Sequence, residues 1–313
     1  MKDNQASFTA MRVAYMRAYH AIHATYKIFD DFLAHDLIPD EKRVLIKQHL
    51  IEQYVTLDQQ LNDSENTVSF SDRITTSELL MQATHKSAGA VSSRARYVED
   101  ALEKAIRQGV KQYVILGAGM DTFAFRKPEM MEHLEVFEVD HPATQEFKLH
   151  RLAELEWEHP AKLHFIPIDF TKESLVTALT SSSSYDSNVK TFFNWLGVIP
   201  YLTKNEVFTT LYSITKIAPM GSTIVFDYFD TDAFIPEKSS PQMQKLLKYL
   251  RKIGEPTKND GFNPSTLAEE LASLGFSLQE NLSPADIEER YFKGRTDGSH
   301  AHEHGHFACA VIE

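Results

Sequence analysis

Tyr113-Val114-Ile115-Leu116-Gly117-Ala118-Gly119, followed by Val136-Phe137-Glu138-Val139-Asp140, decides the fold. Each is a short apolar run, too brief for a helix and closed by residues that turn or cap the chain. Leu163-His164-Phe165-Ile166-Pro167-Ile168-Asp169, Thr191-Phe192-Phe193-Asn194-Trp195 and Thr223-Ile224-Val225-Phe226-Asp227 repeat the pattern. Helical stretches fall between them near 142–156, 171–180 and 203–217. Short apolar runs alternating with helices predict a mostly parallel sheet covered on both faces.

Upstream of Gln112, residues 6 to about 110 carry no convincing strand. Val13, Met16, Tyr19, Ala21 and Ile22 recur at helical spacing, and a second helix is expected after Pro39. The polar stretch 62–76 reads as a loop. Two further helices, about 77–90 and 93–108, are expected to stop at Gly109. Downstream of the fifth run come a helix near 240–253, another opened by Pro264 and Ser265, and strands from Phe276 to Gln279 and from His306 to Ile312, with a short helix between. The expected organisation is a helical cap and lead-in over 1–110 and an α/β core over 111–313, integrated into one domain.

The chain has 313 residues, with 32 Lys+Arg against 44 Asp+Glu and a net charge of −12. A net acidic chain without a basic block is poorly equipped to grip nucleic acid or an anionic lipid surface, so neither is expected as a partner. Cys309 is the single cysteine, which excludes an intrachain disulfide and a Cys-rich zinc site. The start lacks the apolar core of a secretory signal, and the run from Thr191 to Leu202 is too short to span a bilayer. A cytoplasmic protein is expected.

A strand running into Gly117-Ala118-Gly119 lets a ligand approach backbone that a side chain would otherwise cover. In open α/β sheets cofactors bind beyond the carboxyl end of the first strand. Asp140 closes the second run, where a carboxylate can accept both ribose hydroxyls of an adenosine, and Asp169 closes the third, within reach of the adenine amino group. Together they point to a nucleoside. A dinucleotide turn wants a third small residue, but here the series reads Gly117-x-Gly119-x-x-Thr122 with Asp121 beside it. An acidic side chain there repels a diphosphate and tolerates a sulfonium. S-Adenosylmethionine is therefore favoured over a nicotinamide dinucleotide, which would make the chain an NAD(P)-dependent oxidoreductase. A non-catalytic nucleoside-binding protein of the same fold is the third reading.

Leu116-Gly117-Ala118-Gly119-Met120-Asp121-Thr122 with Arg126, then Phe137-Glu138-Val139-Asp140-His141-Pro142, resembles the leucine carboxyl methyltransferase family, and within it the bacterial S-adenosyl-L-methionine-dependent branch. The likeness runs from Val13–His20 through Trp195–Leu202, about two thirds of the chain. It implies the class I methyltransferase fold, a Rossmann-like, seven-stranded, mostly parallel sheet, with an N-terminal helical cap. It also implies S-adenosyl-L-methionine as cofactor and O-methylation of a carboxylate or hydroxyl on a small-molecule or protein acceptor. By position, Arg96 corresponds to the family arginine on the cofactor's methionine carboxylate, with Arg94 its near rival. Gly117 and Gly119 line the aminoacyl and ribose portion, Asp140 meets the ribose, and Asp169-Phe170 meet the adenine. Two positions depart from the family: Leu196 stands where many members carry glutamate, and Phe8 where relatives often carry a basic residue, for which Arg12 is a substitute.

No catalytic side chain is singled out, because a carboxylate acceptor is already ionised at neutral pH and needs no base. A hydroxyl acceptor would need one. His300, His302, His304 and His306 recur every second residue. They read as one strand face or as a loop where the period means nothing, and as solvated residues before a metal site; His304 and His306 are candidate acceptor contacts. Tyr201 is placed either at the acceptor or under the helical cap.

Overall fold

The computed structural model describes residues 5–62, 76–170 and 172–313. Three long helices come first: α1 (Phe8–His23), α2 (Asp40–Asn62) and α3 (Thr76–Arg107). The alternating part follows as β1 (Gln112–Leu116), α4 (Phe123–Arg126), α5 (Pro128–Met131), β2 (Glu135–Asp140), α6 (Pro142–Glu154), β3 (Leu163–Pro167), α7 (Leu175–Thr180), β4 (Thr191–Trp195), α8 (Lys204–Ile217) and β5 (Thr223–Phe229). The chain closes with α9 (Pro241–Lys252), α10 (Leu267–Ala272), β6 (Phe276–Leu282), α11 (Pro284–Tyr291) and β7 (Gly305–Ile312). The polar stretch 63–75, expected as a loop, lies outside the described residues.

All seven strands join one sheet in the order β3-β2-β1-β4-β5-β7-β6. β1 to β5 are parallel, and β7 runs antiparallel between β5 and β6. The central strands β1 and β4 are buried at every residue, as continuous apolar runs covered on both faces must be. One face packs Val114, Phe193 and Ile224 against α7, α8 and α10; the other packs Tyr113, Phe192 and Val225 against α3, α4 and α11. From β1 the chain winds outward to β2 and β3, and from β4 it winds the other way. That reversal opens a crevice at the carboxyl ends of β1 and β4.

The two helices expected over 77–90 and 93–108 are one. Gly89 sits inside α3, where an added Cβ would come within 3.0 Å of the Phe292 ring and 3.1 Å of the Ser299 Cβ. The small residues in this stretch serve close packing, not a break. α3 also joins the two parts of the chain. Ala88 packs with α1 and α2, while Tyr97, Val98, Leu102 and Ala105 pack on the sheet. The helix stops at Arg107, and Gly109 follows with φ of +94°. No helix among the described residues is long and apolar enough to cross a membrane.

Ser7 caps α1 by accepting the Ala10 N–H at 3.1 Å, and His20 secures its last turn by accepting the Ile28 N–H on Nε2 at 2.9 Å. Burial, then the nearby Arg295 and His85, push His20 down to about 4. The unfolded chain therefore takes up this proton first as the pH falls. His20 contributes stability above about pH 6.5 that is lost progressively toward pH 4. His20→Gln keeps an acceptor for Ile28 but does not titrate. The difference in urea-unfolding free energy between wild type and variant is expected to shift by about 3 kcal/mol, against the wild type, between pH 7 and pH 4. A pH-independent difference would show that His20 is not held neutral.

Candidate functional site

β1 ends in a turn whose dihedrals only glycine adopts easily: φ is +74° at Gly117 and +55° at Gly119. The Gly117 and Ala118 N–H groups both donate to the Val139 carbonyl on β2, at 2.7 and 3.2 Å. Asp140, the last residue of β2, accepts the Gly119 N–H on one carboxylate oxygen and the His141 N–H on the other, the latter at 2.6 Å. Burial pushes Asp140 above the usual carboxylate range, and the two backbone N–H groups pull it part of the way back. A carboxylate has about four acceptor sites, so both oxygens keep capacity for further donors.

Two cavities meet above this turn. The larger, about 600 Å³, is lined by Gly117, Gly119, Asp140, Asp169 and Phe170, which the sequence places at the cofactor, and also by Asn194, Leu196 and Arg94. Its volume lies in the usual range for a small-molecule site. The smaller, about 290 Å³, is walled by Met16, Leu50, Ala90, Leu246, Ile287 and Phe307 among others, with Arg12, Asp227, Gln242, Lys245 and His302 among its polar members. Thr9, Val13, Val91, Arg94, Gly197 and Tyr201 line both.

Arg96 lines neither cavity. Its guanidinium pairs with Asp100 at 2.6 Å one turn along α3, half-exposed and away from both cavities. Arg94 is the arginine that faces the crevice, because the helix carries residues two apart to different sides. It donates to Asp227 Oδ2 at 2.7 Å, and Asp227 Oδ1 accepts the Gly197 N–H at 2.6 Å. One carboxylate from β5 thus fixes both Arg94 and the turn after β4. In the sequence Asp227 reads only as the acid that ends the run Thr223–Asp227, with nothing to mark its partner on α3.

Asp169 lies two residues past β3 and pairs with Lys172 at 2.9 Å. Leu196, in place of the family glutamate, lines the larger cavity, and so does Asn194. The Asn194 amide donates to the Tyr113 hydroxyl at 2.9 Å, while its buried Oδ1 has no protein partner. An N–H or ammonium donor on a ligand would satisfy that oxygen. Among the other cations lining this cavity, Arg17 binds Asp31 at 2.7 Å and Arg126 forks onto Glu99. The glycine turn is flanked by acids, Asp121 and Asp140. This donor set fits a sulfonium-bearing adenosyl group and opposes a diphosphate.

Arg12 is not in the larger cavity. It lines the smaller one, with its guanidinium 4.5 Å from the centre of the Tyr249 ring. Tyr201 touches both cavities, and burial pushes its phenol up to about 12. The histidines separate. β7 begins only at Gly305, so His300, His302 and His304 sit in the loop before it. His304 donates from Nδ1 to Asp230 at 3.0 Å and accepts the Ser240 N–H on Nε2 at 3.0 Å. His306 faces the same Asp230 at 3.4 Å and stacks on Tyr228. Both tie the loop after β5 to β7 instead of touching a cavity. His302 alone of the four reaches the smaller cavity, and burial pushes it down to about 4.

The family model described as leucine carboxyl methyltransferase matches residues 10–215 of this chain. A Bacillus subtilis protein, named "Putative S-adenosyl-L-methionine-dependent methyltransferase YktD", is 37% identical over 99% of this chain and 99% of its own. A Mycobacterium avium protein of the same general name is 33% identical over 43% of this chain and 42% of its own. Among solved structures, a "putative methyltransferase" from Thermobifida fusca superposes with a TM-score of 0.58, covering 100% of this chain and 96% of that one at 13% identity. The last of these is a likeness of fold alone.

At Gly117 an added Cβ would lie 2.2 Å from Val198 Cγ2, and at Gly119 it would lie 3.0 Å from the Ala10 Cβ of α1. Both positions also carry positive φ. Gly117→Ala is expected to lower the unfolding free energy by about 1–3 kcal/mol in urea titration. An unchanged midpoint would mean that the turn relaxes freely.

Proposed function

The chain belongs to the leucine carboxyl methyltransferase family, and from that premise we propose that it is an S-adenosyl-L-methionine-dependent O-methyltransferase whose acceptor sits in the smaller cavity. The observation that carries this reading is the wall of residues common to two cavities of different chemistry, one polar and acid-flanked, the other mostly apolar. A methyl donor and an acceptor must meet across such a wall.

S-Adenosyl-L-methionine, when bound, supplies an electrophilic methyl group: an acceptor oxygen forms the new C–O bond as the C–S bond breaks and its electron pair returns to sulfur. The protein's work is to hold the reactants in line and keep water out. Asp140 holds the ribose hydroxyls, Asp169 and Phe170 the adenine, and Gly117 and Gly119 leave room along the backbone. Arg94 replaces Arg96 as the guanidinium nearest the aminoacyl end, oriented by Asp227. Asn194 Oδ1 accepts from the amino group.

Two titrating groups bordering the acceptor, Tyr201 and His302, favour a carboxylate over a hydroxyl. Tyr201, up at about 12, keeps its proton at neutral pH and donates a hydrogen bond instead of taking one up. His302, down at about 4, is a neutral but weak base. Removing a hydroxyl proton at neutral pH calls for a base near 7, and neither group is one. A carboxylate needs none. The walls of the smaller cavity support a compact, largely apolar acceptor, with Arg12, Arg94 and Lys245 the cations that line it.

Calorimetry with S-adenosylhomocysteine and with NADH tests the cofactor. Binding of the first and not the second is expected; the reverse would end the methyltransferase reading. Asp140→Ala and Arg94→Ala are each expected to weaken S-adenosylhomocysteine at least about tenfold, whereas Arg96→Ala leaves it within about twofold. Equal losses at Arg94 and Arg96 would overturn the exchange of roles. With labelled methyl donor and a metabolite extract, the label is expected to leave as methanol in mild alkali. Alkali-stable label would mean an ether and a hydroxyl acceptor.

A further inference from the structure

Beneath the glycine turn lies a buried ion pair that neither cavity touches. Lys148 on α6 and Glu138 on β2 are each 1% exposed and paired with one another. Lys148 Nζ also donates to the Asp121 carbonyl at 2.6 Å. On the other side of the turn, Arg17 from α1 donates to the preceding carbonyl, that of Met120, at 2.7 Å, and is itself held by Asp31. Two consecutive peptide carbonyls of the turn are thus gripped by two cations, each backed by an acid. A peptide unit is planar, so fixing its carbonyl also fixes the N–H on the opposite edge. Asp121 N–H donates to the Ala118 carbonyl at 2.9 Å, closing the turn on itself.

A buried ion pair is weak grounds for stability, since apolar residues of similar volume often serve as well. Burial, with Asp121 and Asp140 nearby, raises Glu138 to about 7 even against the pull of Lys148, so the pair is costly to keep charged. Something other than packing is gained from a lysine here. A turn with two glycines is conformationally permissive, and the Lys148 contact restrains its far end at the Asp121 carbonyl.

We infer that Lys148, held by Glu138, is a positioning residue that fixes the Asp121 carbonyl and so presets the glycine turn for the adenosyl cofactor. This rests on the cofactor reading above, since the turn must have a ligand to be preset for. Lys148 acts only through the turn.

The test replaces both charges at once. Glu138→Gln with Lys148→Met leaves no buried charge, so the double variant is expected to melt within about 5 °C of the wild type. Lacking the grip on Asp121, it is expected to bind S-adenosylhomocysteine at least about tenfold more weakly in calorimetry. Amide hydrogen exchange over 117–122, with no ligand present, is expected to quicken at least about tenfold. Glu138→Gln alone keeps the lysine contact and is expected to stay within about threefold on both readouts. Unchanged exchange in the double variant, or an unchanged affinity beside faster exchange, overturns the inference. A wild type that fails to bind S-adenosylhomocysteine removes the cofactor reading instead, and the exchange measurement then decides the role of Lys148 in the turn by itself.

Discussion

The contact between the Asp140 carboxylate and the Gly119 N–H joins the ends of two neighbouring strands, β1 and β2, beside the crevice that opens between β1 and β4 where the sheet reverses its winding. Everything in the site is arranged around it. Gly117 and Ala118 lean on β2 through Val139, α1 seats Ala10 over Gly119, and Val198 closes on Gly117 from the turn after β4. Val198 and Ala10 leave no room for a side chain at Gly117 or Gly119 without a shift. The same carboxylate keeps acceptor capacity toward the larger cavity, so one residue both shapes the turn and addresses what lies on it.

Charge in this region is paired almost throughout. Arg17 has Asp31, Arg94 has Asp227, Arg126 has Glu99, and Lys148 has Glu138. Each pair is set when the chain folds, before any ligand arrives, which is what preorganisation of a polar site requires. With these cations matched and acids flanking the turn, a diphosphate finds little to bind. The mostly apolar second cavity adds a compartment of different chemistry, which on the proposed reading takes the acceptor while the first takes the nucleoside.

The histidine-rich segment illustrates how a sequence period can mislead. Four histidines two apart suggest one strand face, but the strand starts only at Gly305, and two of the four are consumed by Asp230 in holding the loop after β5. The divided helix expected before Gly109 fails for a similar reason. The neighbours that demand the smallness of Gly89 inside the single helix, Phe292 and Ser299, lie some two hundred residues away.

By itself the sequence determined the α/β order, the strand positions, the glycine turn and the acids that follow it, because each is written in local periodicity, in backbone preference and in spacing along one chain. The strand-end residues Gly117, Gly119, Asp140, Asp169 and Phe170 all reach the same cavity because parallel strands bring their carboxyl ends to one edge. Only the tertiary structure turned Arg94 and not Arg96 toward the cavities, brought Asp227 and Asn194 to their lining, and buried Lys148 against Glu138 beneath the turn. Those outcomes depend on which face of a helix meets which strand, a relation between distant segments that no local pattern carries.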